Sequence, residues 1–148
     1  MEYKTLVKDF IDRTEHNLKI IEAMKRDGDE VFEITQLINS LLGLLILPQQ
    51  NFFDNIPTDS IEEARNQGWK IPDPLDGFNQ ANNLRDYLRY LRNGIAHFNI
   101  EFISNNEEIS GIQIWNQPQK SAINWRINLK VDEIKSITNK IKELVNEL

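Results

Sequence analysis

The first part of the chain has the hydrophobic period of an amphipathic helix. Its apolar residues recur at spacings of three, four and seven positions: Val7, Phe10, Ile11, Leu18 and Ile21. This spacing places them on one helix face and predicts a first helix from Lys4 to about Met24. Gly28 predicts the stop, because glycine readily takes the left-handed conformation that closes a helix C-terminus. Asp29 is then a suitable N-cap for a following helix.

A second helix is predicted from Glu30 to Leu47, with an apolar stripe that broadens towards its end and indicates burial on several sides. Pro48 predicts its end, because proline lacks a backbone N–H and disfavours helical geometry in the preceding residue. The apolar run from Leu41 is well short of the roughly 20 residues that span a bilayer, so it predicts a buried helix rather than a membrane segment. The first residues lack the apolar core of a signal peptide, and we expect a cytoplasmic protein.

Residues 49–79 hold three of the five prolines and two of the six glycines, which predicts a connector. Within it, Thr58 or Asp59 is a suitable cap for a short helix that runs to about Gln67, because acidic residues fill the first turn.

A longer helix is predicted from Phe78 or Asn79 to His97, and after it the pattern changes to alternation over most of the following segments. Three segments alternate apolar and polar positions, as strands do: 98–104, 111–115 and 123–129. Helical spacing returns over 131–148. The pattern therefore predicts a single mainly α domain over 1–148, a bundle of four to five helices with a small antiparallel β-hairpin or three-strand meander before the C-terminal helix.

The composition limits which partners the chain can bind and which kinds of site it can contain. The chain has a net charge of -6 and a pI near 5.0, which argues against broad attraction to nucleic acids or anionic membranes and requires any nucleic-acid site to be local. It has no cysteine, which excludes disulfides, a thiol nucleophile and cysteine-based metal sites.

A positive stripe is predicted on the helix that ends at His97. Arg85, Arg89 and Arg92 occupy positions i, i+4 and i+7 and lie within an arc of about 60 degrees. The stripe is either a set of phosphate contacts or a solvated face paired with carboxylates such as Asp86.

His97 has two interpretations as well. A histidine at a helix end commonly packs or complements the helix dipole, whereas an arginine and a histidine together can act on a phosphodiester. Arg92 and His97 are about 140 degrees apart on a straight helix. To act on one phosphate, they require a helix that ends or distorts near Gly94, or sites from two chains that converge.

Other chemistries lack their motifs. The sequence has no glycine-rich phosphate loop, no nucleophile elbow, no histidine pair on one helical turn and no calcium loop. His16 and His97 alone are too few for a zinc site. We assign no metal and no cofactor. Trp69, Trp115 and Trp125 are interpreted as core or interface anchors rather than base-stacking platforms.

The segment "RNGIAH", Arg92 to His97, resembles the signature of HEPN domains, in which four to six residues separate an arginine from a histidine and the first of them is polar. Asn93 fills that polar position. The surrounding helical pattern, with strands after the motif helix, is similar to a prokaryotic HEPN subgroup that carries a β-hairpin there.

The resemblance implies a metal-independent ribonuclease of a toxin-antitoxin, antiphage or stress-response system, working as a homodimer whose two motifs face one cleft. By carry-over, His97 is the general acid or base, Arg92 holds the scissile phosphate and Asn93 orients the pair. Helical spacing alone adds Arg89 and Arg85 as RNA contacts. An antitoxin protein is a possible partner. The alternatives are a non-catalytic HEPN-like nucleotide-binding, RNA-binding or interaction module, or a simple helix terminus.

Overall fold

The computed structural model describes residues 3–46 and 50–147, which form six helices and one three-stranded sheet. The elements in chain order are α1 (Tyr3–Arg26), α2 (Glu33–Ile46), α3 (Gln50–Asp54), α4 (Ile61–Asn66), α5 (Leu84–Ala96), β1 (Ile100–Asn105), β2 (Glu108–Asn116), β3 (Trp125–Lys130) and α6 (Val131–Glu147). The predicted fold class, a mainly helical bundle with a small sheet before the C-terminal helix, is confirmed.

The first two helices differ from the prediction mainly at one boundary. Gly28 has a φ of +89° beyond α1, as the predicted stop requires. However, α2 begins at Glu33 rather than Glu30, so the prediction of Asp29 as its N-cap is wrong: the Asp29 carbonyl instead accepts a hydrogen bond from the Val31 N–H at 3.0 Å. The predicted helix end at Leu47 and Pro48 lies outside the described residues.

The connector contains more helix than the sequence predicts. α3 was not predicted, because a single turn is too short to establish a hydrophobic period. The predicted short helix is present as α4, but its N-cap is Ser60 rather than Thr58 or Asp59. The Ser60 hydroxyl accepts a hydrogen bond from the Glu63 N–H at 3.1 Å, the usual role of an N-cap.

α5 begins at Leu84, so the predicted start at Phe78 or Asn79 is wrong. Asn83 is the N-cap, and its side-chain oxygen accepts from the Asp86 N–H at 2.9 Å. The preceding residues are held in a loop because the Gln80 amide donates to the Pro72 carbonyl at 3.0 Å. This side-chain hydrogen bond competes with helix formation.

The sheet is an antiparallel meander in the order β1-β2-β3, which confirms the three-strand alternative. β2 lies in the centre and packs against α5. Ile100 pairs with Ile114 and Phe102 with Ile112 across the first ladder. Since opposed residues share a sheet face, the side chains of Ile100 and Phe102 point to the same side of the sheet as those of the buried Ile112 and Ile114.

The core is centred on α2, which contacts α1, α5 and α6. Leu37, Leu41 and Leu45 of α2 are almost fully buried, which confirms the predicted burial on several sides. Trp69 and Trp125 are also buried, whereas Trp115 is half-buried beside Arg126. Throughout the part of the chain that the structure describes, no helix combines the length and hydrophobicity needed to cross a membrane.

Candidate active site

The candidate site lies on α5, partly on the side that faces away from the core and partly on the adjoining flank. One face of α5 is buried and consists of Leu84, Tyr87, Leu88, Leu91, Gly94 and Ile95. At 100 degrees per residue, Arg89, Asn93 and His97 project from the opposite face. Arg85 and Arg92 lie on the flank between the two faces, and the contacts of both side chains show that this flank borders α3 and the residues after it.

Gly94 lets α5 approach the central strand very closely. A Cβ atom at this position would lie 2.5 Å from Ile114 Cγ2 and 2.7 Å from the Trp115 carbonyl oxygen. A helix that ends or distorts near Gly94 was one of the two arrangements predicted to bring Arg92 and His97 together, and α5 continues as helix through Gly94 and ends two residues later, at Ala96. The glycine is therefore required for packing, and it fixes the height of the helix end above β2.

The end of α5 is closed by a Schellman motif. The Phe98 N–H donates to the Ile95 carbonyl at 3.1 Å, and the Asn99 N–H donates to the Gly94 carbonyl at 2.7 Å, the two hydrogen bonds that define this cap. His97 is the C-cap residue, with φ -99° and ψ 11°. It is exposed, so its imidazole is accessible to a ligand.

Arg92 is held against an aromatic ring. Its guanidinium carbon lies 4.1 Å from the centre of the Phe53 ring of α3, a cation–π contact. Burial lowers the pKa of Arg92, and the neighbouring charge of Arg89 lowers it further, although an arginine remains protonated at neutral pH. The ion pairs seen among residues 3–46 and 50–147 do not include Arg92.

The other two arginines of the stripe are partly engaged inside the chain. Arg85 Nε donates to the Ile56 carbonyl at 2.9 Å, so this side chain ties α5 to the segment after α3. Arg89 Nη1 lies 3.5 Å from Asp86 Oδ1, the pairing that the structural interpretation of the stripe expected. Both side chains are only half-buried and carry further donors.

The structure brings some of the predicted residues together and separates others. Asn93 and His97 are four positions apart, so they lie about 40 degrees from each other on one face, and the His97 N–H donates to the Asn93 carbonyl at 3.1 Å. Arg92 and His97 are separated by about 140 degrees. One chain alone therefore does not place Arg92 and His97 on the same face.

Two residues of this region were not recognised from the sequence. Phe53 belongs to a connector without periodic signal, so nothing in the pattern linked it to Arg92. Phe98 was assigned to a strand, but it has a φ of +59° and is 85% exposed. Its position directly after His97 was the only available signal.

No group of three or more His, Asp or Glu side chains in the described residues is arranged to hold a metal ion.

The geometry can be compared with known proteins. The family model described as HEPN pEK499 p136 matches residues 1–148. No curated protein and no solved structure matches the chain significantly. The matched region includes the whole of α5 and the sheet that follows it.

Proposed function

Because the chain belongs to the HEPN pEK499 p136 family, we propose that it is a HEPN-type endoribonuclease that cleaves RNA through the 2'-hydroxyl group without a metal ion. The observation that carries the proposal is the arrangement of Arg92, Asn93 and His97 at the C-terminal end of α5, where Arg92 and Asn93 are half-buried and His97 is exposed. A cation that stabilises phosphate charge and an imidazole that moves protons near neutral pH suit this reaction, because RNA supplies its own nucleophile.

His97 transfers the protons in this proposal. An imidazole accepts the proton of the 2'-hydroxyl, and the 2'-oxygen attacks the phosphorus. The bond from phosphorus to the 5'-oxygen breaks, and the leaving oxygen receives a proton from an imidazolium. The products are a 2',3'-cyclic phosphate and a 5'-hydroxyl end. Arg92 stabilises the charge on the non-bridging phosphate oxygens, and Asn93 orients the pair by hydrogen bonding.

The site is shared across a homodimer in this proposal. Two observations support the sharing: Arg92 and His97 point about 140 degrees apart on one helix, and on the face of α5 opposite the core His97 is exposed while Arg89 and Asn93 are only half-buried. Two copies related by a two-fold axis across this face would let Arg92 of one chain and His97 of the other reach the same phosphate.

The test is cleavage of RNA in EDTA with a matched pair of histidine variants. We expect the wild-type protein to leave 2',3'-cyclic phosphate ends and His97→Ala to abolish them. His16→Ala is the control, because His16 is the only other histidine and is exposed on α1. Cleavage that persists in His97→Ala, or that stops on chelation, contradicts the mechanism. A strictly monomeric protein at micromolar concentration contradicts the shared site.

The biological setting of the proposal is a toxin-antitoxin, antiphage or stress-response system in the cytoplasm, with an antitoxin protein as the neutralising partner. Expression tests it: the wild type should slow growth and Arg92→Ala should not. Equal growth of both strains argues against a toxin.

A non-catalytic RNA-binding or interaction module is the second candidate. It is favoured by the intrachain contacts of Arg85 and Arg89 and by the net charge of -6, since both reduce the positive charge available to phosphate. Intact RNA under all conditions, together with a measurable complex, would favour this module.

A further inference from the structure

In the described residues, three helices end in the same backbone motif, and the comparison of these ends singles out one unusual residue. After α1, the Gly28 N–H donates to the Lys25 carbonyl and the Asp29 N–H to the Met24 carbonyl. After α4, the same two hydrogen bonds run from Gly68 to Arg65 and from Trp69 to Ala64. After α5, they run from Phe98 to Ile95 and from Asn99 to Gly94. All three ends are Schellman motifs.

The left-handed position of this motif is glycine in two cases and phenylalanine in the third. Its φ is +89° at Gly28, +98° at Gly68 and +59° at Phe98. Glycine suits the position because it has no Cβ atom, whereas an L side chain is strained there. The other non-glycine residues with positive φ in the described parts of the chain are polar turn residues: Asp76, Asn106, Glu107 and Lys120.

Packing does not compensate for the strain at Phe98. The side chain is 85% exposed, so it gains little from burial in the single chain. Neither backbone preference nor the core therefore accounts for an aromatic residue at this position. Strained residues that the fold does not require concentrate at functional sites, and Phe98 directly follows His97.

We propose that Phe98 stacks on a nucleotide base beside the scissile phosphate, so that the enzyme acts on a single-stranded segment of RNA. This inference rests on the proposed ribonuclease function. Bases in single strands and loops are free to stack on aromatic rings, whereas those in a duplex are not. Stacking also does not need positive charge, which suits a chain with a net charge of -6.

The test compares Phe98→Gly with Phe98→Trp. Phe98→Gly should raise the melting temperature, because glycine relieves the positive φ, yet it should raise KM for single-stranded RNA about tenfold, within the range measured for lost base stacking, with little change in kcat. Phe98→Trp should keep KM near the wild-type value. The matched control is Phe32→Gly, since Phe32 is also an exposed phenylalanine, at 73%, and immediately precedes α2.

A second measurement separates binding from cleavage. In the inactive His97→Ala background, adding Phe98→Gly should weaken binding of a single-stranded oligonucleotide about tenfold and leave binding of the duplex unchanged. A Phe98→Gly protein that keeps its KM overturns the proposal while the ribonuclease function stands. Loss of activity with dissociation to monomers also overturns it, because Phe98 would then be a contact between subunits. If the wild type neither binds nor cleaves RNA, the proposed function itself fails, and this proposal fails with it.

Discussion

The guanidinium of Arg92 lies over the ring of Phe53, 4.1 Å from its centre, and this contact connects the motif helix to α3. Phe53 is fully buried, so the ring is a fixed platform. Arg92 thus has a preferred position before any phosphate arrives, and less side-chain freedom is lost when it binds one. Phe53 is a positioning residue in this arrangement, because it acts through Arg92.

Phe53→Leu should therefore lower ribonuclease activity even under conditions in which the variant is fully folded. Leucine keeps the site apolar but removes the aromatic face, and a cation–π contact at such a site contributes about 1 kcal/mol, which corresponds to about fivefold in kcat/KM. Phe52→Leu is the control, because Phe52 is its neighbour on α3 and only half-buried. Activity should be measured well below the melting temperature of each variant. Equal losses in both variants would show that Arg92 is not positioned by Phe53.

Gly94→Ala should destabilise the protein by about 1–3 kcal/mol, the usual cost of overpacking. The new methyl group would overlap Ile114 and the Trp115 carbonyl, and backbone cannot move aside cheaply. Gly43→Ala on α2 is the control, because its methyl group meets only the Phe10 ring at 3.1 Å, which is partly exposed and can shift. Urea denaturation measures both. A Gly94→Ala protein as stable as Gly43→Ala would show that α5 does not depend on this close approach.

The order of the long helices and strands was predictable because the hydrophobic pattern of each repeats over many residues. α1, α2, α5 and α6 each bury one face or more, and the strands alternate over several residues, so tertiary packing reinforces the local pattern. The helix starts were less predictable. Asp29 is a residue type that favours the N-cap but does not cap α2, whereas Asn83 does cap α5. The hydrogen bond from Gln80 to the Pro72 carbonyl, in the loop before α5, is not visible in the hydrophobic pattern.

The sequence proposed the residues of the candidate site, which remain a prediction, but it did not contain their arrangement. The spacing of Arg92, Asn93 and His97 resembles a family signature, and spacing is visible in the sequence. The Phe53 platform and the left-handed Phe98 depend on tertiary contacts and on the exact end of α5, which a hydrophobic pattern does not contain. Similarly, Gly94 was interpreted as a helix-weakening residue, although its role is set by the distance to β2.

Tyr87→Phe should leave stability unchanged or raise it at neutral pH. The Tyr87 hydroxyl is buried on α5 without a hydrogen-bond partner in the described structure, and an unsatisfied buried polar group costs about 1–3 kcal/mol. Its ring packs edge-to-face on Trp125 at 5.8 Å, which phenylalanine can reproduce. Thermal denaturation at pH 7 measures the difference. A loss of more than about 1 kcal/mol would indicate that the hydroxyl has a partner.

Tyr87 should also make the stability of the protein depend on pH in the alkaline range. Burial raises the pKa of the Tyr87 hydroxyl above its ordinary value of 10.0, and the charge of Glu133 raises it further. The stability associated with this group is therefore fully present below pH 10.0 and is lost as pH rises above it, because only the unfolded state ionises there. In urea denaturation from pH 8 to pH 11, Tyr87→Phe should lose less stability than the wild type. Parallel curves would contradict this assignment.

Arg85→Ala should affect stability and Arg89→Ala should affect RNA binding, although both residues belong to one positive stripe. Arg85 donates to the Ile56 carbonyl, so its loss should lower stability by about 1 kcal/mol, the usual net value of a hydrogen bond.

Arg89 lies on the same face as Asn93 and His97 and pairs only loosely with Asp86 at 3.5 Å. Arg89→Ala should therefore fold normally but bind RNA more weakly, with the slope of log affinity against log salt concentration reduced by about 0.7, the value for one phosphate contact to a single strand. Arg13→Ala on the exposed part of α1 is the control for lost charge alone. An Arg89→Ala protein with the salt dependence of Arg13→Ala would remove Arg89 from the RNA contacts and confine them to the Arg92 side of the helix.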